Sequence, residues 1–571
     1  MSTPSPTAQG TVSAPSHVVA DQSEVIEFLA NPSTYGLGSG ITRIDTHGAV
    51  VILAGDLAYK LKRAVKFPFT DFSTPGKREA ACRDEIAVNR PGAPGIYLDV
   101  VPITRGKNGL ELRGKGEAVD WVVRMRRFDE NRTLDRLAEQ DGIDAALLDR
   151  TTQAVLASHG RAPRREGGPA TQSLASYIGQ NDEAFRERPD LFPAGDVDAL
   201  TRAAARALEA SRPLLLERGR AGFVRRCHGD LHLRNIVLID EHPTLFDAVE
   251  FDDAIATGDI LYDLAFLLMD LWQRGLRREA NTVLNRYLWQ AGEEAHLAGL
   301  EALPLFLSIR AALRAKIAAS AAPLQPEAGR SAMEDEAKGY FRLAREFLGH
   351  SPPFLVAIGG FSGTGKSTLA MAVAPALGRA PGAVVLRSDI ERKRIAGVPE
   401  EQRLPREAYT AEATEAVYEA LRRKARLVLA AGCCAIVDAV HAEPSERLAV
   451  ENVASEAGLP FTGFWLEAPL PTLVERVTLR QGDASDADVA VVHRQAAYDL
   501  GAVGWTRLDA GVPREVLAEA VGAHLAESDR IRASVRAASV EMDQRPDGEE
   551  GENARSHGSA PDRSGGAPEP S

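Results

Sequence analysis

Cysteine is scarce, with four in 571 residues. Cys82 and Cys227 stand alone and Cys433 adjoins Cys434, so the chain offers no CxxC pair, no disulfide framework and no structural zinc spacing. That usage fits a reducing cytoplasm. An excess of positive charge is also missing. The formal net charge is −13, whereas a general nucleic-acid binder needs a basic surface to displace counterions. Long apolar runs are absent too. The most apolar stretch, ILYDLAFLLMDLW, is interrupted by Asp263 and Asp270. It falls short of the roughly 20 residues that cross a bilayer, so it reads as a buried helix and no membrane contact is expected. The opening MSTPSPTAQGTVSAPS has neither a basic segment nor an apolar one after it, and reads as a disordered lead over residues 1–20.

What is present is enough apolar content, 44%, for more than one core, because single cores seldom grow past about 250–300 residues. The Ala-, Pro- and Gly-rich run from 318 to 341, followed by SPPF at 351–354, marks a boundary near 350. The resulting division is a first domain over 21–325, a linker and helix over 326–352, a second domain over 353–530 and a tail over 531–571. From Glu541 onward eight acids face three arginines with almost no apolar residues, so the tail is expected to be disordered.

The first domain opens with strand patterns. GAVVILAG, a Gly55-Asp56 turn and LAYKLKRAV predict a hairpin, KREAACRDEIAVNR a helix, and YLDVVPI and DWVVRMRRF two more strands. From about 130 the pattern turns helical, giving a small sheet lobe followed by a helical lobe. After 350, short apolar strands alternate with helices, which predicts an α/β domain with a parallel sheet.

Two stretches carry chemistry. HGDLHLRN sets Asp230 and Asn235 five apart, and Asp247 in TLFDAVEFDD follows Asp230 by 17 positions. Phosphoryl transfer needs an acceptor hydroxyl held in line and metal ions on the phosphates. Asp230 can orient or accept the hydroxyl proton, and Asn235 and Asp247 can hold magnesium. His232 reads as a brace for the loop. The second stretch, GGFSGTGKST, fits the phosphate-binding pattern G-x-x-x-x-G-K-[ST] with Gly360, Gly365, Lys366 and Ser367, after the strand FLVAI and before the helix TLAMAVAPAL. Its loop residues Ser362, Gly363, Thr364 and Thr368 complete the cradle for phosphates at a helix N-terminus, with Lys366 on the terminal phosphates and Ser367 on magnesium. Asp438, ending AIVD, is placed as a further magnesium-binding acid. Asp389 in RSDIERKR, at the carboxyl end of the second strand, can orient an acceptor hydroxyl or cap a helix. Arg476 and Arg480, four apart in LVERVTLRQ, suit a lid over transferring phosphate, or a solvated basic face.

HGDLHLRN, FDAVEFDD and DLAFLLMDL resemble the aminoglycoside phosphotransferase family of kinase-like enzymes, and more closely the bifunctional aminoglycoside phosphotransferase/ATP-binding proteins. The resemblance covers roughly residues 25–320. It implies a two-lobed α+β kinase-like fold with ATP in the cleft. It also implies a phosphate-binding strand lysine, Lys60 with Lys62 as the alternative on the same strand face, and Glu85 as its partner. In this sequence Ala248 and Val249 separate Asp247 from the next acid, Glu250, so Asp252 competes with Asp247 for the metal. GLGSG at 36–40 and THGA at 46–49 are the two candidates for the phosphate loop. The second half, through GGFSGTGKST, RSDIERKR, VDAVH and ERVTLRQGDASDA, resembles the P-loop small-molecule and polynucleotide kinases, including gluconate-kinase-like and zeta-toxin-like enzymes. The expectation is therefore a kinase with ATP and Mg2+ as cofactors and a small-molecule hydroxyl as acceptor in each domain. A nucleotide-gated regulator with one non-catalytic domain and a polynucleotide kinase are the alternatives. Nothing in the sequence sets an oligomeric state.

Overall fold

The hairpin forms where the turn residues demand it. Ala54 pairs with Leu57 across the two-residue connection, and Gly55 takes φ +58°, the left-handed region that glycine enters without steric cost. In this computed structural model residues 18–46, 48–67, 70–480 and 484–527 are described. The lead up to residue 17 and the tail from Glu541 lie outside them.

The hairpin belongs to a six-stranded antiparallel sheet. Its strands are β1 (Ile41–Asp45), β2 (Ala49–Ala54), β3 (Leu57–Lys62), β4 (Tyr97–Gly106), β5 (Gly109–Leu112) and β6 (Glu117–Arg126), in the order β1-β2-β3-β6-β4-β5. Alternation on β3 sends Tyr59 and Leu61 into a small core with Ile52, Val101 and Ile103. Lys60 and Lys62 take the other face, which is covered by helix α1 (Pro75–Asn89). Thr74 caps α1 by accepting from Lys77 N–H, and Pro75 stands at its first position. The buried side of α1 includes Cys82, Glu85, Ile86 and Asn89, so Glu85 looks straight at the lysine face.

The helical lobe follows, with α2 (Ala145–Arg161), α3 (Gly167–Arg186), α4 (Ala194–Ala221), α5 (Ile260–Gln273), α6 (Arg277–Ala291), α7 (Leu303–Ala321) and α8 (Glu327–Phe347). Between α4 and α5 the chain forms an irregular loop and the short hairpin of β7 (Ile236–Ile239) and β8 (His242–Leu245). Residues 294–321, which include α7, are long and apolar enough by composition to cross a membrane, and most of that stretch is buried inside the lobe. Helix α8, in the segment read as linker and helix, packs along α7. It inserts Tyr340, Phe341 and Phe347 into the core, and Ser308 Oγ donates to Ala344 O at 2.7 Å.

The second half is a five-stranded parallel sheet of β9 (Leu355–Gly360), β10 (Val384–Arg387), β11 (Ala435–Asp438), β12 (Phe461–Glu467) and β13 (Thr506–Asp509), in the order β10-β11-β9-β12-β13. Around it lie α9 (Lys366–Val373), α10 (Ser388–Ala396), α11 (Ala411–Ala430), α12 (Pro444–Glu456), α13 (Leu470–Leu479) and α14 (Val489–Ala496). Every residue of β9 is buried, as the central strand of a sheet covered on both faces must be. Gly360, Arg387 and Asp438 all stand at carboxyl ends of strands, the edge where open parallel sheets bind ligands. Both halves lie in one compact unit ending at Ala518, and a single apolar cluster runs from Leu134 in the helical lobe to Trp505 beside the parallel sheet.

Candidate functional site

The first site is a cleft of about 940 Å³ between the antiparallel sheet and the helical lobe, lined by Lys60, Lys62, Asp230, Asp247 and Glu250 among others. Lys60 Nζ lies 2.9 Å from Glu85 Oε1 and 2.7 Å from Asp247 Oδ1. Lys62 Nζ takes the other Glu85 oxygen, Oε2, at 2.5 Å and also pairs with Glu250. One carboxylate on α1 thus organises both lysines. Burial works against the Lys60 ammonium, but Asp247 and Glu85 outweigh it and hold its pKa well above the usual value. Burial pushes the Glu250 carboxyl up, with Lys62 opposing. Both lysines line the cleft, and Lys60 is the more exposed of the two, at 16% against 3% for Lys62.

Asp247 sits at φ +61°, with its N–H donating to the Tyr97 hydroxyl at 3.0 Å, and Ala248 N–H donates to Asn89 Oδ1 at 2.7 Å. These contacts aim Asp247 at Lys60. The Asp252 carboxylate instead accepts from Ala254 and Ile255 N–H and caps a short helix, residues 253–256. Of the two acids left open by the sequence, Asp247 is the one turned to Lys60. Glu250 joins the site although two residues separate it from Asp247, and its side chain is buried against Lys62.

Asp230 faces the same cleft. Asn235 Nδ2 donates to its Oδ2 at 2.9 Å and to its backbone O at 3.0 Å, and His232 Nε2 lies 3.3 Å from Oδ2. Burial raises the Asp230 carboxyl, but the neighbouring His232 outweighs it and keeps the group below the usual carboxylate range. The Asn235 amide oxygen accepts nothing from the described residues. With the Asp247 carboxylate it supplies the hard oxygen donors that suit magnesium. The loop itself is braced from behind. His228 Nε2 lies 2.9 Å from Phe246 O, and Nδ1 accepts from Asp230 N–H at 3.3 Å, which fixes a neutral tautomer that burial also favours. Asp263 accepts from Gly229 N–H at 2.8 Å, and Asp270 from Leu233 N–H at 3.0 Å. Both acids are buried on α5. The sequence signal for them was the presence of two acids in an otherwise apolar helix, since buried charge requires partners.

The β1–β2 connection at residues 46–48 brings Thr46 and Gly48 to the cleft, while Gly36 to Gly40 precede β1. THGA is therefore the candidate that reaches the cleft. His47 lies outside the described residues.

The second site is the loop from Gly360 to Thr368. A Cβ on Gly360 would meet Leu466 O at 2.5 Å, and one on Gly363 would meet Leu473 O at 2.8 Å; Gly365, at φ +86°, opens α9. The loop packs too closely for side chains and ends on a helix N-terminus, the arrangement that receives phosphate. Lys366 Nζ donates to Phe361 O at 3.1 Å, and Thr364 Oγ1 donates to the same oxygen at 2.7 Å. Ser367 Oγ donates to Asp438 Oδ2 at 2.5 Å, bringing together the hydroxyl and the carboxylate a phosphate-bound magnesium needs. Burial pushes the Asp438 carboxyl up against the pull of Arg387 and Lys366. Asp389 stands half-buried in the first turn of α10 and makes no side-chain cap there. Arg476 Nη1 lies 3.5 Å from Gly363 O. Arg480 differs from its expected place on the same helical face: α13 ends at Leu479 and the Arg480 backbone is extended. Gln495 from α14, unremarked in the sequence, accepts from Ser362 N–H at 2.7 Å.

Comparison with known proteins gives matches to both halves. The Phosphotransferase enzyme family model matches residues 94–302, and the AAA domain model residues 355–499. An uncharacterised protein of Mycobacterium tuberculosis is 30% identical over 484 residues, covering 82% of this chain and 92% of its own. The adenylyl-sulfate kinase of Myxococcus xanthus is 32% identical over 130 residues, covering 23% of this chain and 65% of its own. Among solved structures, a choline/ethanolamine kinase family protein from Mesorhizobium loti covers 57% of this chain and 97% of its own, at 17% identity and a TM-score of 0.35. The Mycobacterium tuberculosis APS kinase, in complex with AMPPNP and APS, covers 31% of this chain and 99% of its own, at 20% identity and a TM-score of 0.25.

Proposed function

Because the chain belongs to the family that fuses a phosphotransferase domain to a P-loop AAA-type domain, we propose that it is an ATP-dependent kinase whose two sites each transfer the γ-phosphoryl group to a hydroxyl of a small-molecule acceptor. The observation that carries this reading is the convergence of Asp230, Asp247 and Lys60 on one cleft, with Asn235 bonded to Asp230. In the first site Lys60, steadied by Glu85, binds the phosphates. Asp230 orients the acceptor O–H. As the acceptor oxygen bonds to phosphorus, the bond from phosphorus to the β-phosphate oxygen breaks, ADP leaves, and the proton passes to Asp230. A carboxylate held this acidic acts mainly by positioning and takes the proton late. Magnesium held by Asn235 and Asp247, and in the second site by Ser367 and Asp438, would neutralise phosphate charge. In the second site the Gly360–Thr368 cradle and Lys366 grip the phosphates, Asp389 orients the acceptor, and Arg476 closes on the transferring group.

Lys316 bears on the acceptor of the first site. It lines the cleft, burial lowers its pKa, and it has no ion pair or hydrogen bond among the described residues. An unpaired, partly desolvated ammonium favours an acceptor with an anionic group over a polycation.

The test is acceptor-dependent ATP turnover over hydroxy acids, sugars, nucleosides, aminoglycosides and oligonucleotides, in wild type, Asp230→Ala and Lys366→Ala. Each substitution is expected to remove a separate activity. Turnover that ignores every acceptor would refute the reading. Loss through Lys366→Ala alone would instead favour a first domain that binds nucleotide as a regulator.

A further inference from the structure

Strand β10 is the edge of the parallel sheet, and its outward backbone groups need partners. Helix α6, from the phosphotransferase half, supplies them with side chains. Asn281 Nδ2 and Asn285 Nδ2 donate to Ala383 O at 3.0 and 3.2 Å. Val385 N–H donates to Asn285 Oδ1 at 2.7 Å, and Trp289 Nε1–H donates to Val385 O at 2.7 Å. The three residues are four apart, so one face of α6 reads the strand edge in place of a neighbouring strand. Both asparagines are 0% exposed, so a slip of the strand would leave buried amides unpaired, and the register is held.

The seam does not stop at the backbone. β10 ends at Arg387, whose guanidinium lies 5.7 Å from the centroid of the Trp289 ring. Its Nε is 3.6 Å from Asp438 Oδ2, the oxygen to which Ser367 donates. Arg286, one turn before Trp289, pairs with Glu400 beyond α10 at 3.1 Å. In the other direction, Tyr287 of α6 has its hydroxyl 2.8 Å from His159 Nδ1, and His159 Nε2 is 3.2 Å from Asp263, which holds Gly229 beside Asp230.

We infer that Trp289 and Asn285, residues of the phosphotransferase half, are positioning residues for the P-loop site: they fix β10 and, through it and the stacked Arg387, the crevice occupied by Ser367 and Asp438. The inference rests on the reading of that loop as a nucleotide site. Neither residue touches the phosphate cradle. Both act through a strand that belongs to the other domain, so the P-loop site is incomplete without α6.

The test uses the full chain. MgATP binding by calorimetry and ATP turnover are each measured with and without Lys366→Ala, and the difference is assigned to the P-loop site. Trp289→Leu and Asn285→Ala are expected to weaken Lys366-dependent binding fivefold or more and to lower any Lys366-dependent turnover tenfold or more. Asp230-dependent turnover should stay within twofold. Trp289→Phe keeps an aromatic ring beside Arg387 but loses the smaller indole ring and the N–H that holds Val385 O, so it should recover only part of the loss. Lys366-dependent binding within twofold of wild type in folded Trp289→Leu protein overturns the inference. So does a parallel loss at both sites that follows the thermal midpoint, or the absence of any Lys366-dependent binding in wild type. A wild type that binds MgATP but transfers no phosphate would defeat the proposed function and still leave the binding comparison decisive for α6.

Discussion

Lys60 and Lys62 show how far a strand pattern reaches. Alternation puts both on one face and cannot rank them. Burial ranks them, because Lys62 is enclosed between Glu85 and Glu250 while Lys60 opens to the cleft beside Asp247. Replacing one member of a buried ion pair leaves the other charge uncompensated, at a cost on the order of 3–5 kcal/mol. Lys62→Met is therefore expected to lower stability by about that amount, with Glu250→Gln in the same chain restoring part of it. Lys60→Met removes one of the two cations that face the buried Glu85 and leaves Lys62 in place, so it should cost less stability than Lys62→Met, yet lower Asp230-dependent kcat/KM at least about a hundredfold. Denaturant unfolding and turnover on the two variants check this. If Lys62→Met proves the inactive but stable protein, the lysine roles are reversed.

At the scale of elements, the sequence was legible where periodicity was strong and illegible where an element is short or polar. The β2–β3 hairpin, α1 and the P-loop strand and helix stand as their patterns predict. β1 and β13, with the sequences ITRID and TRLD, carry too little apolar alternation to be read. Helix α5 was legible as a buried element, but its acids read only as interruptions of an apolar run. They anchor the loop that carries Asp230: Asp263 takes the backbone N–H groups of His228 and Gly229 and faces His159. Asp263→Asn would turn an NH2 toward one of those donors. Donor against donor in a buried site loses the bond and leaves both groups unpaired. The expected outcome is at least a hundredfold loss of Asp230-dependent turnover and faster amide exchange over residues 228–233, with Lys366-dependent turnover within threefold of wild type. Unchanged exchange in that loop would show that Asp263 does not hold it.

On the scale of the molecule, the common apolar cluster and the α6–β10 seam join the two halves, which are therefore expected to unfold together. Each half also buries a histidine that resists protonation. Burial, with Arg218 nearby, lowers His296 to about 4, and burial with Lys366 nearby lowers His441 to about 3. In the unfolded chain both titrate near 6.5. Above that pH neither state binds the proton and the full stability is present. As pH falls below about 6.5 the unfolded chain takes up protons that the folded chain refuses, so stability drains away toward the folded pKa values of about 4 and about 3. Most carboxylates remain ionised above pH about 5, so between about 6.5 and 5 these two histidines, together with His228, which burial also lowers, dominate the trend. Calorimetry from pH 7.5 downward is expected to show one transition whose midpoint falls across that interval, because a half that cannot unfold alone passes its proton linkage to the whole. His296→Phe, which keeps a ring against Phe223 and Tyr287, should shallow the decline of that single transition. Two resolved transitions, with His296→Phe altering only one, would show that the halves melt independently and that the seam aligns the domains without binding their stabilities together.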